Sequence, residues 1–202
     1  MSDQQQMRSV IIILMAVALL VSGSVAFLMI SKADNESAGE AIKGDFILNS
    51  SSGPVSLHQF HGQVVLLFFG YTHCPDVCPA TMTNVADAMD LLSERERQLV
   101  QPLFITVDPT RDSVEHLTQY VSFFHPKLIG LSGSEDQIRK AAELFSVQYF
   151  RDDWADAGKG NYYLNHTSYL FLINPGGEIA DLMSDHTTPQ DIAASVRQYV
   201  SR

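Results

Sequence analysis

Residues 64–79 read VVLLFFGYTHCPDVCP, and the fold class turns on how this stretch changes character along its length. Val64, Val65, Leu66, Leu67, Phe68 and Phe69 form a continuous apolar run that stops at Gly70, the pattern of a strand buried on both faces. Beyond the cysteines, Met82, Val85, Met89 and Leu92 advance by 3, 4 and 3, which is one face of a helix. Cys74 and Cys78 therefore fall at a strand-to-helix junction. The unsatisfied N–H groups and dipole of a helix N-terminus favour thiolate over thiol there. On a helical path the two cysteines are i and i+4, about 40° apart around the axis, so both sulfurs can point one way. Such a pair can share a metal ion, attack a disulfide or close a bridge. A purely structural bridge is the weakest of these readings, because so short a loop constrains the unfolded chain little.

Working outward, residues 100–107 (VQPLFITV) read as a second strand, with Pro102 near its start where a missing donor is tolerated. Residues 169–173 (YLFLI) read as a third. It is stopped by Asn174-Pro175-Gly176-Gly177, after which 178–183 returns as the other arm of a hairpin. Ile138, Ala141 and Phe145 mark a second helix, residues 113–123 after Asp112-Ser113 a third, and 189–200 a fourth, with Pro189 in its first turn and Ile192, Val196 and Val200 repeating by four. Strands alternating with helices predict an α/β fold: a largely parallel sheet, helices on both faces and an antiparallel edge from the hairpin. That order fits a thioredoxin-like fold.

Upstream, residues 10–30 (VIIILMAVALLVSGSVAFLMI) contain no charge. As a helix they would span about 31 Å, the thickness of a bilayer core. A secretory signal has a shorter apolar region of about 7 to 15 residues. The length thus favours a single transmembrane anchor, although the small residues Ser22-Gly23-Ser24-Val25-Ala26 suit a cleavage site. The expected organisation is a short tail at 1–9, the anchor at 10–30, a polar linker at 31–41 (SKADNESAGEA) and a soluble domain at 42–202. Arg8 precedes the span and Lys32 follows it, so flanking charge does not set its orientation.

The chain has 202 residues, 46% of them apolar, with 13 Lys and Arg against 23 Asp and Glu, for a formal charge of −10. Arg8 and Lys32 against Asp3 put +1 before residue 33, which leaves −11 beyond it. That sign argues against nucleic acid as a partner. Two cysteines are too few for a disulfide-dense scaffold or a four-cysteine metal site. Soft monovalent copper suits a pair of thiolates and leaves room for an imidazole. Of the seven histidines, His166 just precedes the 167–173 strand, whose start, in a parallel sheet, is expected to approach the cysteine loop. His73 adjoins Cys74 and is expected to point elsewhere. His58, His61, His116, His125 and His186 show no ligand spacing.

The segment 68–79, FFGYTHCPDVCP, resembles the signature of the Sco/SenC family of copper-binding assembly proteins for cytochrome c oxidase. Residues 107–112 (VDPTRD) resemble the family's DPxRD stretch, and Asn165-His166-Thr167-Ser168 precedes a strand as the family's ligand histidine does. The likeness spans about residues 43–200. It implies a thioredoxin-like domain on the outer side of a membrane that binds one copper ion through Cys74, Cys78 and His166. It also implies a partner, cytochrome c oxidase subunit II or another copper enzyme. Either copper is delivered to that subunit's dinuclear site, or its thiols are prepared to receive it. The alternative is a thiol–disulfide oxidoreductase with Cys74 and Cys78 as catalytic residues and His166 expendable. Asn165 stands where many relatives carry Asp, so a carboxylate beside His166 is not expected. Asp108 reads either as a group that helps position the site or, at least as well, as a residue capping the turn into the next helix, and Met82, four residues after Cys78, reads as core rather than as a thioether beside the site. The insertion 149–165, rich in Asp, Gly and aromatic residues, reads as a mobile loop that brings His166 to the metal, with Trp154, Tyr162 or Tyr163 facing a partner. An ordered surface hairpin is its alternative.

Overall fold

A computed structural model describes Met15 and residues 40–42, 44–152 and 162–200. The chain divides into a unit Met1–Ala38 and a unit Gly39–Arg202, and the elements that follow belong to the second. Among the described residues no helix is long and apolar enough to cross a membrane. The anchor expected at 10–30 lies, Met15 apart, outside the described residues.

In chain order the strands are β1 (Glu40–Ala41), β2 (Ile47–Ser50), β3 (Gly53–Ser56), β4 (Val64–Gly70), β5 (Val100–Thr106), β6 (Ile129–Leu131), β7 (Tyr149–Asp152), β8 (Tyr163–His166), β9 (Leu170–Ile173) and β10 (Glu178–Met183). The helices are α1 (Val77–Leu91), α2 (Glu94–Gln98), α3 (Val114–Ser122), α4 (Glu135–Leu144) and α5 (Pro189–Val200). The main sheet has the order β1-β10-β9-β4-β5-β6, and β2-β3 and β7-β8 form two small sheets. The architecture is mixed α/β and thioredoxin-like.

The expectation of a largely parallel sheet is corrected. Among the described residues of this sheet, β4–β5 and β5–β6 are parallel, while β1–β10, β10–β9 and β9–β4 are antiparallel. The cause lies in the connection. Parallel neighbours need a crossover, whereas β9 follows directly on the β7–β8 hairpin, which ends at His166 beside the carboxyl end of β4. From there β9 runs back along β4, with Phe68 opposite Leu170 and Val65 opposite Ile173.

All seven residues of β4 and of β5 are buried, as are all four of β9, so side chains cover both faces of the sheet's centre. On α1 the stripe Met82, Val85 and Met89 is buried, and it continues upstream to Cys78. Met82 is thus a core residue, as its spacing indicates. Burial of each such side chain stabilises the fold by about 1.5–3 kcal/mol. Ser93, Ser113 and Ser134 cap α2, α3 and α4, the first and last through full capping boxes. The β9–β10 turn is closed by Asn174, whose side-chain oxygen accepts the N–H groups of Gly176 and Glu178. Gly177 there has φ +84, which glycine adopts without steric cost.

Candidate metal centre

Three elements meet at the carboxyl end of β4: the loop 71–76, the first turn of α1, and the end of β8. Asp76 occupies the N-cap position of α1, so Cys78 lies in the first helical turn while Cys74 precedes the helix. The expectation of both cysteines on one regular helix is therefore corrected, since Pro75 and Asp76 interrupt the helical path. The two still converge, because the free N–H of Cys78 donates to Cys74 Sγ at 3.4 Å. This is the helix-terminal N–H group that favours a thiolate.

His166 arrives from the other side. Its Nε2 lies 3.4 Å from Cys78 Sγ, and donor atoms of Cys74, Cys78 and His166 all lie within 4.8 Å of one another. No disulfide joins the two cysteines. A parallel β9 would begin at the opposite end of β4; the antiparallel pairing brings His166 here. Its Nδ1 contacts the backbone oxygen of Thr167 at 3.0 Å. Nδ1 must be the donor to a carbonyl, so the Nε2 lone pair faces the sulfurs. A peptide carbonyl thus orients the imidazole, a role that second partners of ligand histidines commonly fill. Asn165, the neighbour in sequence, is exposed. The edges of Phe68 and Tyr71 wall the ring, with centroids 6.0 and 5.9 Å away.

The thiols have opposite protonation. Cys74 is held down to about 3, first because the Cys78 thiol donates to it, with the Cys78 N–H adding to the effect against partial burial. Cys78 is pushed up, first by donating to the Cys74 thiolate and then by burial. The pair thus comprises one thiolate and one thiol, and a cation bound to both sulfurs would displace the remaining proton. The site is also tight. A Cβ on Gly70 would stand 2.9 Å from Cys78 Sγ, so glycine leaves the sulfur its room.

Several positioning groups escaped the sequence reading. The Tyr71 hydroxyl accepts the N–H of Leu164 at 3.2 Å, tying β8 to the cysteine loop. Asp112 is fully buried. It accepts the Thr72 N–H at 3.0 Å, the Thr72 hydroxyl at 2.5 Å and the Thr106 hydroxyl at 2.7 Å, which fixes the loop that carries Cys74. Asp108, which the sequence left open between a positioning group and a turn cap, does more than cap a turn. It accepts the Tyr162 hydroxyl at 2.7 Å and pairs with Arg111, whose guanidinium lies 3.6 Å from the Tyr162 ring centre. The signal for these groups was the run of Tyr, Thr and Asp flanking the recognised motifs, but the partners in the Thr72–Asp112, Asp108–Tyr162 and Tyr71–Leu164 bonds lie 40, 54 and 93 residues apart. The ends of the insertion pair as β7 and β8, with Tyr149 opposite His166, which is the hairpin alternative. Tyr163 is exposed and Tyr162 partly buried, while Trp154 lies outside the described residues.

The sequence model of the SCO1/SenC family matches residues 34–201. The chain is 37% identical over 164 residues to Protein SCO2 homolog, mitochondrial, of Mus musculus, covering 79% of this chain and 62% of that one. It is 32% identical over 195 residues to the SCO2-like protein of Rickettsia felis, covering 91% and 94%. The structure of Bradyrhizobium japonicum ScoI with copper bound is similar with a TM-score of 0.71 at 32% identity, covering 79% of this chain and 99% of that one. The match spans about six-tenths of the mitochondrial relatives from mouse, cattle and zebrafish.

Proposed function

This chain belongs to the SCO1/SenC family, and from that premise we propose that it is a membrane-anchored copper carrier serving cytochrome c oxidase. In this reading Cys74, Cys78 and His166 hold one copper ion as cargo, delivered to, or made welcome at, the dinuclear copper site of oxidase subunit II. Another copper enzyme in the same compartment is the alternative recipient. The anchor at 10–30 keeps the domain at the outer, periplasmic-type face. The convergence of two sulfurs and one imidazole nitrogen within 4.8 Å carries the proposal. The donor chemistry fits: thiolates and imidazole select soft monovalent copper, and three ligands leave a position at which a recipient's side chain can begin ligand exchange. The chain's own part is to orient Nε2 through the Thr167 carbonyl, supply a ready thiolate at Cys74 and accept the loss of the Cys78 proton.

The test is copper bound per protein, measured on the full chain after thiol reduction and without oxygen. One equivalent is expected, sharply weakened by each of Cys74→Ser, Cys78→Ser and His166→Ala. Binding indifferent to His166 would overturn the triad.

The unequal thiols support a second reading, thiol–disulfide exchange. The Cys74 thiolate attacks a target disulfide and expels one target thiolate. Cys78 then attacks the mixed disulfide, closing a Cys74–Cys78 bridge and passing its proton to the second departing sulfur. Oxidase assembly that survives His166→Ala but fails without either cysteine would favour this reading.

A further inference from the structure

Two histidines outside the proposed triad stand together on the surface beside it. The rings of His73 and His116 are 5.9 Å apart between centroids, nearly perpendicular, and the side chains are 49% and 45% exposed. They come from different elements, the cysteine loop and α3. Beneath them lies the buried carboxylate of Asp112, whose Oδ1 is 3.9 Å from His73 Nδ1 and 4.0 Å from His116 Nδ1.

The hydrogen bonds fix which nitrogens are free. The Thr72 hydroxyl spends its proton on Asp112 Oδ1, so toward His73 Nδ1, 3.1 Å away, its oxygen acts as acceptor and Nδ1 carries the hydrogen. His116 Nδ1 faces the backbone oxygen of Arg111 at 3.4 Å and carries its hydrogen for the same reason. Both rings therefore keep a lone pair on Nε2. A chain running from carboxylate through hydroxyl to Nδ1 is the kind of support that holds a ligand imidazole in one tautomer. With a metal–nitrogen bond of about 2.0–2.1 Å and a ring centre roughly 1.2 Å behind the nitrogen, two imidazoles on one ion have centroids up to about 6.4 Å apart. The observed separation falls within that span.

We propose that His73 and His116 form a second metal site, a surface chelate for a first-row divalent ion, with Cu2+ preferred. Imidazole suits such ions, and divalent copper heads their affinity order. Thiolates take no part, so the site is chemically separate from the triad and does not rest on copper delivery as the protein's function. It places a nitrogen-only station one residue from Cys74.

The full chain in detergent, with Cys74→Ser and Cys78→Ser to remove the sulfur site, is titrated with Cu2+ against a competing chelator and read by electron paramagnetic resonance. One equivalent with superhyperfine coupling to two imidazole nitrogens is expected. Because a chelate loses its second, intramolecular ligand, either His73→Gln or His116→Gln is expected to weaken binding about a hundredfold and to abolish the two-nitrogen pattern. His166→Ala and His58→Gln are expected to leave both readouts unchanged. An affinity that survives either His73→Gln or His116→Gln, or that falls instead with His166→Ala or His58→Gln, overturns the proposal. Matching thermal unfolding midpoints for the Gln variants keep loss of fold apart from loss of ligand.

Discussion

Cys74 and Cys78 carry the same donor atom, yet one is a thiolate and the other a thiol, because the helix-terminal N–H and the neighbouring S–H both point at Cys74. A thiol with an ordinary pKa near 8.5 gains about tenfold in thiolate, and in alkylation rate, for each pH unit climbed below that value. Cys74, held down to about 3, is already ionised throughout pH 5–8, so its thiolate fraction does not change there. The alkylation rate of Cys74 in the reduced, metal-free chain is therefore expected to be flat across that range, measured by mass spectrometry of the labelled peptide. A tenfold rise per unit would contradict the assigned protonation. The cysteine pair was legible from the strand-to-helix junction and the CPDVCP spacing, whereas His166 was expected as its third partner mainly through the family resemblance. The partner that orients His166 was not, since a backbone carbonyl leaves no mark in the sequence beyond the residue's existence. Asn165, the residue that sequence reasoning weighed, faces solvent instead.

At the scale of elements, the hairpin β7–β8 decides where His166 stands. It is anchored at Thr167 by a bond from its N–H to the Gln148 oxygen, and at Leu164 by the Tyr71 hydroxyl. Tyr71→Phe keeps the ring edge against His166 but leaves the Leu164 N–H without its acceptor. A neutral hydrogen bond of this kind contributes about 0.5–1.5 kcal/mol. Amide exchange at Leu164 is therefore expected to quicken by roughly two- to tenfold, with weaker copper binding as His166 is held less firmly. Unchanged exchange in the variant would show that the hairpin is fixed by other contacts. The elements that periodicity revealed were those with long apolar faces: β4, β5, β9, α1, α4 and α5. The hairpin β2–β3, the three-residue β6 and the short α2 went unseen, because so few residues, partly polar, do not establish a period.

For the molecule as a whole, one core runs from β4, β5 and β9 into α1, α3, α4 and α5, while the site sits at the strand ends. Leu172 is fully buried in the middle of β9, opposite Leu66. Leu172→Ala is expected to cost about 2–5 kcal/mol, read from chemical denaturation of the full chain, yet to leave copper stoichiometry at one. Loss of copper binding in a folded Leu172→Ala chain would show that core packing and site geometry are coupled. The chain's own sequence determined the buried strands, the principal helices, the reactive cysteine pair and the class of metal such donors select, because hydrophobic periodicity and local motif chemistry are short-range properties. Tertiary structure alone decided that β9 runs antiparallel to β4 and that Asp112 ties the cysteine loop to β5. Those outcomes depend on contacts between residues far apart along the chain, where the direction of one strand fixes which end of the sheet receives the histidine.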